Sequence, residues 1–235
     1  SLGNQSVDLG LASYNFRTTG CNQNCFVIES VIDEVANEAK IDPIDYRLML
    51  LKNNQRHHSL LQSIANDSNW DKKIESGFGR GVAINEFMVK NTSKGRDNFG
   101  EATSIVAMIA EIEISKKGRL VINKIDCKID CGICINPNQV ISQAEGGIMM
   151  GISMLLNEEI TFENGMVVQS NYDDYKIAKM KNTPEMNISI VKSSLPPAGI
   201  AEAVVAPVMP AITNAIFAAT GKRIRKLPIG KQKLV

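Results

Sequence analysis

The sequence predicts an α+β fold with mixed sheets and packed helices. Three observations carry this. Apolar residues recur at helical spacing over residues 26–36. Two long runs, 104–114 and 120–129, alternate like strands around a Lys117-Gly118 turn. Helix and strand patterns then follow one another to the end of the chain with no internal repeat.

Residues 13–24 are polar, with Gly20, and read as a loop. A helix follows on Phe26, Val27, Ile28, Val31, Ile32, Val35 and Ala36, with Glu29, Asp33, Glu34 and Glu38 on what reads as the solvent face. Asp42-Pro43 pairs a capping residue with proline at the first helical position, so a second helix runs through Leu51. Residues 53–59 separate it from a short third helix over Leu60–Trp70. Gly77-Phe78-Gly79-Arg80-Gly81 reads as a turn, and Val82-Ala83-Ile84 opens a strand. Residues 90–100 form a polar loop before the Ser104–Ile114 strand and its hairpin partner. A small-residue helix starts at Asn136-Pro137, and its Gly147 and Gly151 imply close backbone packing. Asn164-Gly165 marks a tight hairpin, Met186–Val191 a strand, and Met209–Thr220 a last helix stopped by Gly221. The change at residue 76 suggests a helical lobe over 1–75 and an α+β lobe over 76–235.

A formal charge of +1 offers no electrostatic reason to expect nucleic acid or an anionic membrane as partner. No apolar run approaches the roughly 20 residues of a membrane helix. Five cysteines cannot all pair within one chain, and they read as mostly reduced thiols.

Several groups could carry chemistry. Cys127, Cys131 and Cys134 could bind metal or serve as a redox module, with Cys21 and Cys25 in reserve. The alternative is small buried thiols on a strand, which puts Cys127 and Cys131 on one face with Ile129. The Gly77–Gly81 run precedes a strand and opens no helix, so it matches no phosphate-binding pattern. Gln143, in Gln143-Ala144-Glu145-Gly146-Gly147, offers donors and an acceptor to a polar ligand, or belongs to a polar helix face. Glu202 lies in Gly199-Ile200-Ala201-Glu202, among small and apolar neighbours just before a helix, with no basic residue nearby in sequence until Lys222. Apolar surroundings suit a carboxylate used as a base; a surface glutamate near a helix start is the plainer reading. His57 and His58 sit in a polar stretch and receive no role.

The ordered series Phe16-Arg17-Thr18-Thr19-Gly20-Cys21-Asn22-Gln23-Asn24, Phe26–Glu34, Asp42-Pro43, Arg47-Leu48, Gly79-Arg80-Gly81, Ala110–Glu113, Ile129–Gly132, Asn136-Pro137, Gln143–Gly147, Gly199-x-x-Glu202, Pro210–Ile216 and Ala219–Pro228 resembles the molybdopterin-binding large subunit of the xanthine oxidase family. It is most similar to the branch of isoquinoline 1-oxidoreductase and related aldehyde dehydrogenases. The resemblance implies the C-terminal part of a molybdenum-cofactor-binding domain. It further implies Glu202 as the base, and Gln143, Gly146, Gly199 and Ala201 against the cofactor, with Arg17 near the substrate. The cofactor would be molybdopterin in its cytosine dinucleotide form. The partners implied are a small iron–sulfur subunit, the N-terminal remainder of the large subunit and a small-molecule substrate. The family's second motif glycine is Ala201 here. Family subunits are longer and carry a Gly-Gln-Gly loop not found in this chain, so these residues are expected to be a fragment that binds no cofactor alone. A non-catalytic assembly domain of the same fold is the alternative. The compartment stays open between cytoplasm and periplasm.

Overall fold

Along the residues described in the computed structural model, 16–89 and 102–235, the elements are α1 (Cys21–Glu38), α2 (Pro43–Leu50), α3 (Gln55–Asp67), β1 (Phe78–Val89), β2 (Ala102–Ile114), β3 (Leu120–Asp130), α4 (Pro137–Leu156), β4 (Phe162–Glu163), β5 (Met166–Val167), β6 (Glu185–Ile190) and α5 (Val208–Thr220). The α+β class and the mixed sheet hold. The main sheet has the order β1-β2-β3-β6; the first three strands are antiparallel neighbours, and β6 runs parallel to β3. β4 and β5 form a separate hairpin on Asn164-Gly165, both at positive φ.

β2 is buried on both faces, which explains its near-continuous apolar run. Val106, Met108, Ala110 and Ile112 join the core shared with α4 and α5, while Ile105, Ala107 and Ile109 meet Ile44 of α2 and Leu60, Leu61 and Ile64 of α3. The sheet is thus sandwiched between helices, and the segments that carry candidate site residues meet at its β3 terminus.

Four expectations about elements need correction. α1 starts at Cys21, not Phe26, because Gly20 enters it in the left-handed region and the Thr18 carbonyl accepts from Cys21 N at 2.7 Å. α3 spans Gln55–Asp67 rather than Leu60–Trp70; Asn54 caps it early, and Trp70 lies beyond its end, donating its indole N–H to Asp42 at 2.9 Å. Gly79-Arg80-Gly81 is no turn but the start of β1. A Cβ at Gly79 or Gly81 would collide with the backbone carbonyls of Ala215 and Ala211 respectively, so these glycines admit α5 onto the strand. The loop expected over 90–100 lies outside the described residues.

The fourth correction concerns the face of α1. Glu29 and Asp33, expected in solvent, are buried, and Val27, Ile28, Val31 and Val35 are exposed. Ion pairing decides this. Arg47, itself buried, donates from Nε to Glu29 at 2.9 Å, and Arg223 reaches Asp33 at 2.6 Å. The Asn214 amide donates to the carbonyls of Glu29 and Val82, at 3.3 and 3.2 Å, which locks α1, β1 and α5 together. Buried charges persist when each is paired and hydrogen-bonded.

Candidate functional site

The site is built from two loops and one helix. The first loop, residues 16–20, carries Arg17. Thr18, Thr19 and Gly20 all have positive φ, at 77°, 31° and 82°. Such backbone costs on the order of 1–3 kcal/mol for each non-glycine residue and persists only where the surroundings enforce it. Here Asn22 Nδ2 holds the Arg17 carbonyl at 3.3 Å, the Thr18 hydroxyl donates to the same oxygen, and Thr18 is fully buried.

The second loop runs from Leu195 to Ala206. Its backbone is tied to the β3 end, with Ile133 N donating to Leu195 O and Ala198 N to Cys131 O, both at 2.9 Å. Ser104 Oγ donates to Gly199 O at 2.9 Å, and Asn85 Nδ2 to Ala203 O at 3.3 Å. Gly132, at φ 70°, lets the loop lie on β3, since a Cβ there would strike the Pro196 carbonyl. Ala201 is not in the left-handed region, so its methyl imposes no backbone strain.

Arg17 joins these parts. Its Nε donates to the Ala201 carbonyl, and its Nη2 donates to Gln143 Oε1 at 3.1 Å. The guanidinium crosses Gly147 of α4, where a Cβ would sit 3.1 Å from Nη2 and overlap Val204. Burial draws the Arg17 pKa down from its ordinary value, and the negative charge of Glu202 opposes that shift. Glu202, half-buried, therefore has a cation beside it that is distant in sequence. The structure thus brings Arg17, Gln143, Ala201 and Glu202 together.

Gly146 and Gly199 are exposed, and a Cβ added at either meets nothing within 4 Å. At the start of α4 a shallow cavity of about 610 Å³ is lined by Asn136, Asn138, Gln139, Ser142 and Gln143, all amides or hydroxyls. Open backbone, amide donors and a helix start fit a polar, phosphate-bearing pterin.

The cysteine reading finds no site. Cys127 is buried beside Ile125 and Ile129, and Cys131 is buried in the same core. Burial pushes the Cys127 thiol up to about 12 and the Cys131 thiol up to about 11, so both rest as neutral thiols in the core. Among the described residues no three His, Cys, Asp or Glu side chains gather as a metal would need.

The supports of the second loop at Asn85 and Ser104 carry no signal in the sequence, whereas Gly132 under that loop and Asn22 under the first lie within the motif series. Reading the sequence also passed over His57, whose Nε2 pairs with Glu86 at 2.9 Å, and Arg56, whose Nε meets Asp130 at 2.6 Å.

Comparison with known proteins gives the family. The profile of the molybdopterin cofactor-binding domain matches residues 27–184. The chain belongs to that family. The chain is 29% identical to the beta chain of isoquinoline 1-oxidoreductase from Brevundimonas diminuta, over 91% of its own length and 26% of the relative's. It is likewise 29% identical to one of the subunits of nicotinate dehydrogenase from Pseudomonas putida, over 98% of this chain and 20% of that one. The chain therefore spans about a quarter of the first relative's length and a fifth of the second's. Aldehyde oxidoreductase from Desulfovibrio gigas superposes with a TM-score of 0.69 over 94% of this chain and 41% of that one; at 14% identity this shows the shared fold. Among the described residues no helix is long and apolar enough to cross a membrane.

Proposed function

We propose that the chain is the C-terminal portion of a molybdenum hydroxylase large subunit that oxidises an N-heterocycle or an aldehyde with water as the oxygen source. The observation that carries this is the Arg17 clamp, which holds the Gln143 helix and the Glu202 loop in one place. Bound molybdenum on molybdopterin, in its cytosine dinucleotide form, would accept the two electrons and present the water-derived oxygen for transfer.

The chain's own residues do the rest. Gln143 hydrogen-bonds the pterin, and Gly146, Gly199 and Ala201 let it approach backbone. Glu202 Oε would accept the proton of the attacking oxygen as the new carbon–oxygen bond replaces a substrate C–H bond, whose hydrogen leaves with the two electrons to the cofactor. Arg17 directs the remainder of its guanidinium toward the substrate and keeps the base-bearing loop at a constant distance from α4. The electrons leave to a small iron–sulfur subunit. The N-terminal remainder of the large subunit completes the cofactor site, so the 235-residue chain alone is inactive and holds no cofactor.

The test is Glu202→Gln in the full subunit, assembled with its small subunit. Turnover falls by at least about 100-fold, the scale of one positioned proton acceptor, while molybdenum content stays at the wild-type level. Near-normal turnover refutes the role of Glu202. A well-folded wild-type complex without molybdenum refutes the hydroxylase reading.

A further inference from the structure

α1 is inside out. Its buried residues are Asn22, Cys25, Glu29, Ser30, Asp33 and Ala36, mostly polar or charged. Its exposed face carries Val27, Ile28, Val31 and Val35, at 56, 56, 49 and 43% exposure. At about 100° per residue these four fall within one arc of about 100°, a continuous aliphatic stripe. A surface helix ordinarily shows the reverse.

The stripe runs into a cleft of about 540 Å³ whose wall mixes apolar Phe16, Phe26 and Met154 with polar Asn22, Glu158 and Arg225. Asn22 is 3% exposed. Its amide nitrogen is engaged by the Arg17 carbonyl, which leaves Oδ1 as an acceptor that meets no donor among the described residues. The exposed stripe therefore asks for an aliphatic partner. Asn22 links it directly to the loop that holds Arg17.

We propose that this face is the seat of the polypeptide that precedes these residues in the longer large subunit. The inference rests on reading the chain as the C-terminal portion of such a subunit. Two observations select this occupant. The relatives extend far beyond the matched stretch, which fills 26% and 20% of their lengths. And the stripe, from Val27 to Val35, covers only about 12 Å of helix. A partner that associates from solution needs about 800 Å² per side, more than four aliphatic side chains and a cleft supply. A tethered partner meets the face at high effective concentration and needs no such area.

Thiol labelling at the stripe tests this. Val31→Cys and, separately, Val27→Cys are introduced into the full subunit and into the 235-residue chain, and maleimide labelling is followed by mass spectrometry of the peptide carrying each position. Both substitutions are small and on an exposed face. The expected result is labelling at least about 10-fold slower in the full large subunit than in the chain alone, with or without the small subunit, the protection a tethered segment gives when it stays seated. Equal rates overturn the proposal. So does protection that appears only when the small subunit is added, or protection already present in the chain alone together with a doubled mass, which assigns the face to another occupant. Molybdenum content, measured on the same samples, is an independent readout. Shielded V31C in a subunit without molybdenum leaves the interface standing and removes the hydroxylase reading; molybdenum-loaded subunit with freely reactive V31C does the opposite.

Discussion

Arg17 reaches across 126 residues to Gln143 and 184 to Ala201, so the spacing between α4 and the Glu202 loop depends on one side chain. A lysine cannot reproduce its fork. Arg17→Lys in the assembled enzyme is expected to lower kcat/KM by about 10–100-fold, the scale of a misplaced reacting group, with molybdenum retained. Gly147→Val displaces the same guanidinium from beneath and should give a loss of similar size; steady-state kinetics on both variants check the pair. Asp130 supplies a pH dependence. Burial raises its pKa, but the Arg56 hydrogen bond, the Gly132 N–H and the Arg56 charge outweigh this and hold it below the ordinary 3.8. A carboxyl lowered on folding adds stability above its unfolded value and loses it as pH falls through the folded one. Urea midpoints from about pH 5 to about pH 3 should therefore fall less steeply in Asp130→Asn than in the wild type. At this scale Arg17, Gln143 and Glu202 were legible because they sit in ordered motifs. Ser104 and Asn85 were not, because each works by bonding a backbone carbonyl of another segment, and nothing in its own neighbourhood marks that.

Element positions were readable where local chemistry sets them. The Asp42 cap is one case: its carboxylate accepts from Ile44 N at 2.7 Å, a bond worth about 1 kcal/mol. Asn136 caps α4 in the same way, and Gly221 stops α5 at φ 72°. The Gly79–Gly81 run misled because glycine serves both turns and close approaches; α5 behind the strand decides which. Gly81→Ala should cost about 3 kcal/mol, at the upper end for overpacking, since the obstacle is backbone. α1 misled for an energetic reason. Its apolar periodicity pointed inward, yet Glu29 and Asp33 face inward because Arg47 and Arg223 await them. Burial pushes the Glu29 pKa up, and the charge and hydrogen bond of Arg47 oppose it. Arg47→Met strands Glu29 and should destabilise the fold by about 3–5 kcal/mol, with part of the loss recovered in the double variant Arg47→Met/Glu29→Gln. Denaturant unfolding of the three proteins measures both.

Over the whole molecule, thiol reactivity reports how the core is closed. Cys25, Cys127 and Cys131 are buried, and Cys21 and Cys134 are half-exposed. Two thiols should react with a disulfide reagent in the native chain and all five after unfolding; fast reaction of Cys127 would mean that the sheet face is open. Caps, hairpins and strand alternation were written in adjacent residues, because steric and hydrogen-bonding preferences act over a few positions. The motif series also carried the family, since it preserves residue types in order. What no local window contained was which face of α1 turns inward and where Arg17 points. Both depend on charges and carbonyls 18 to 190 residues away, and such pairings acquire their strength only when packing removes them from water.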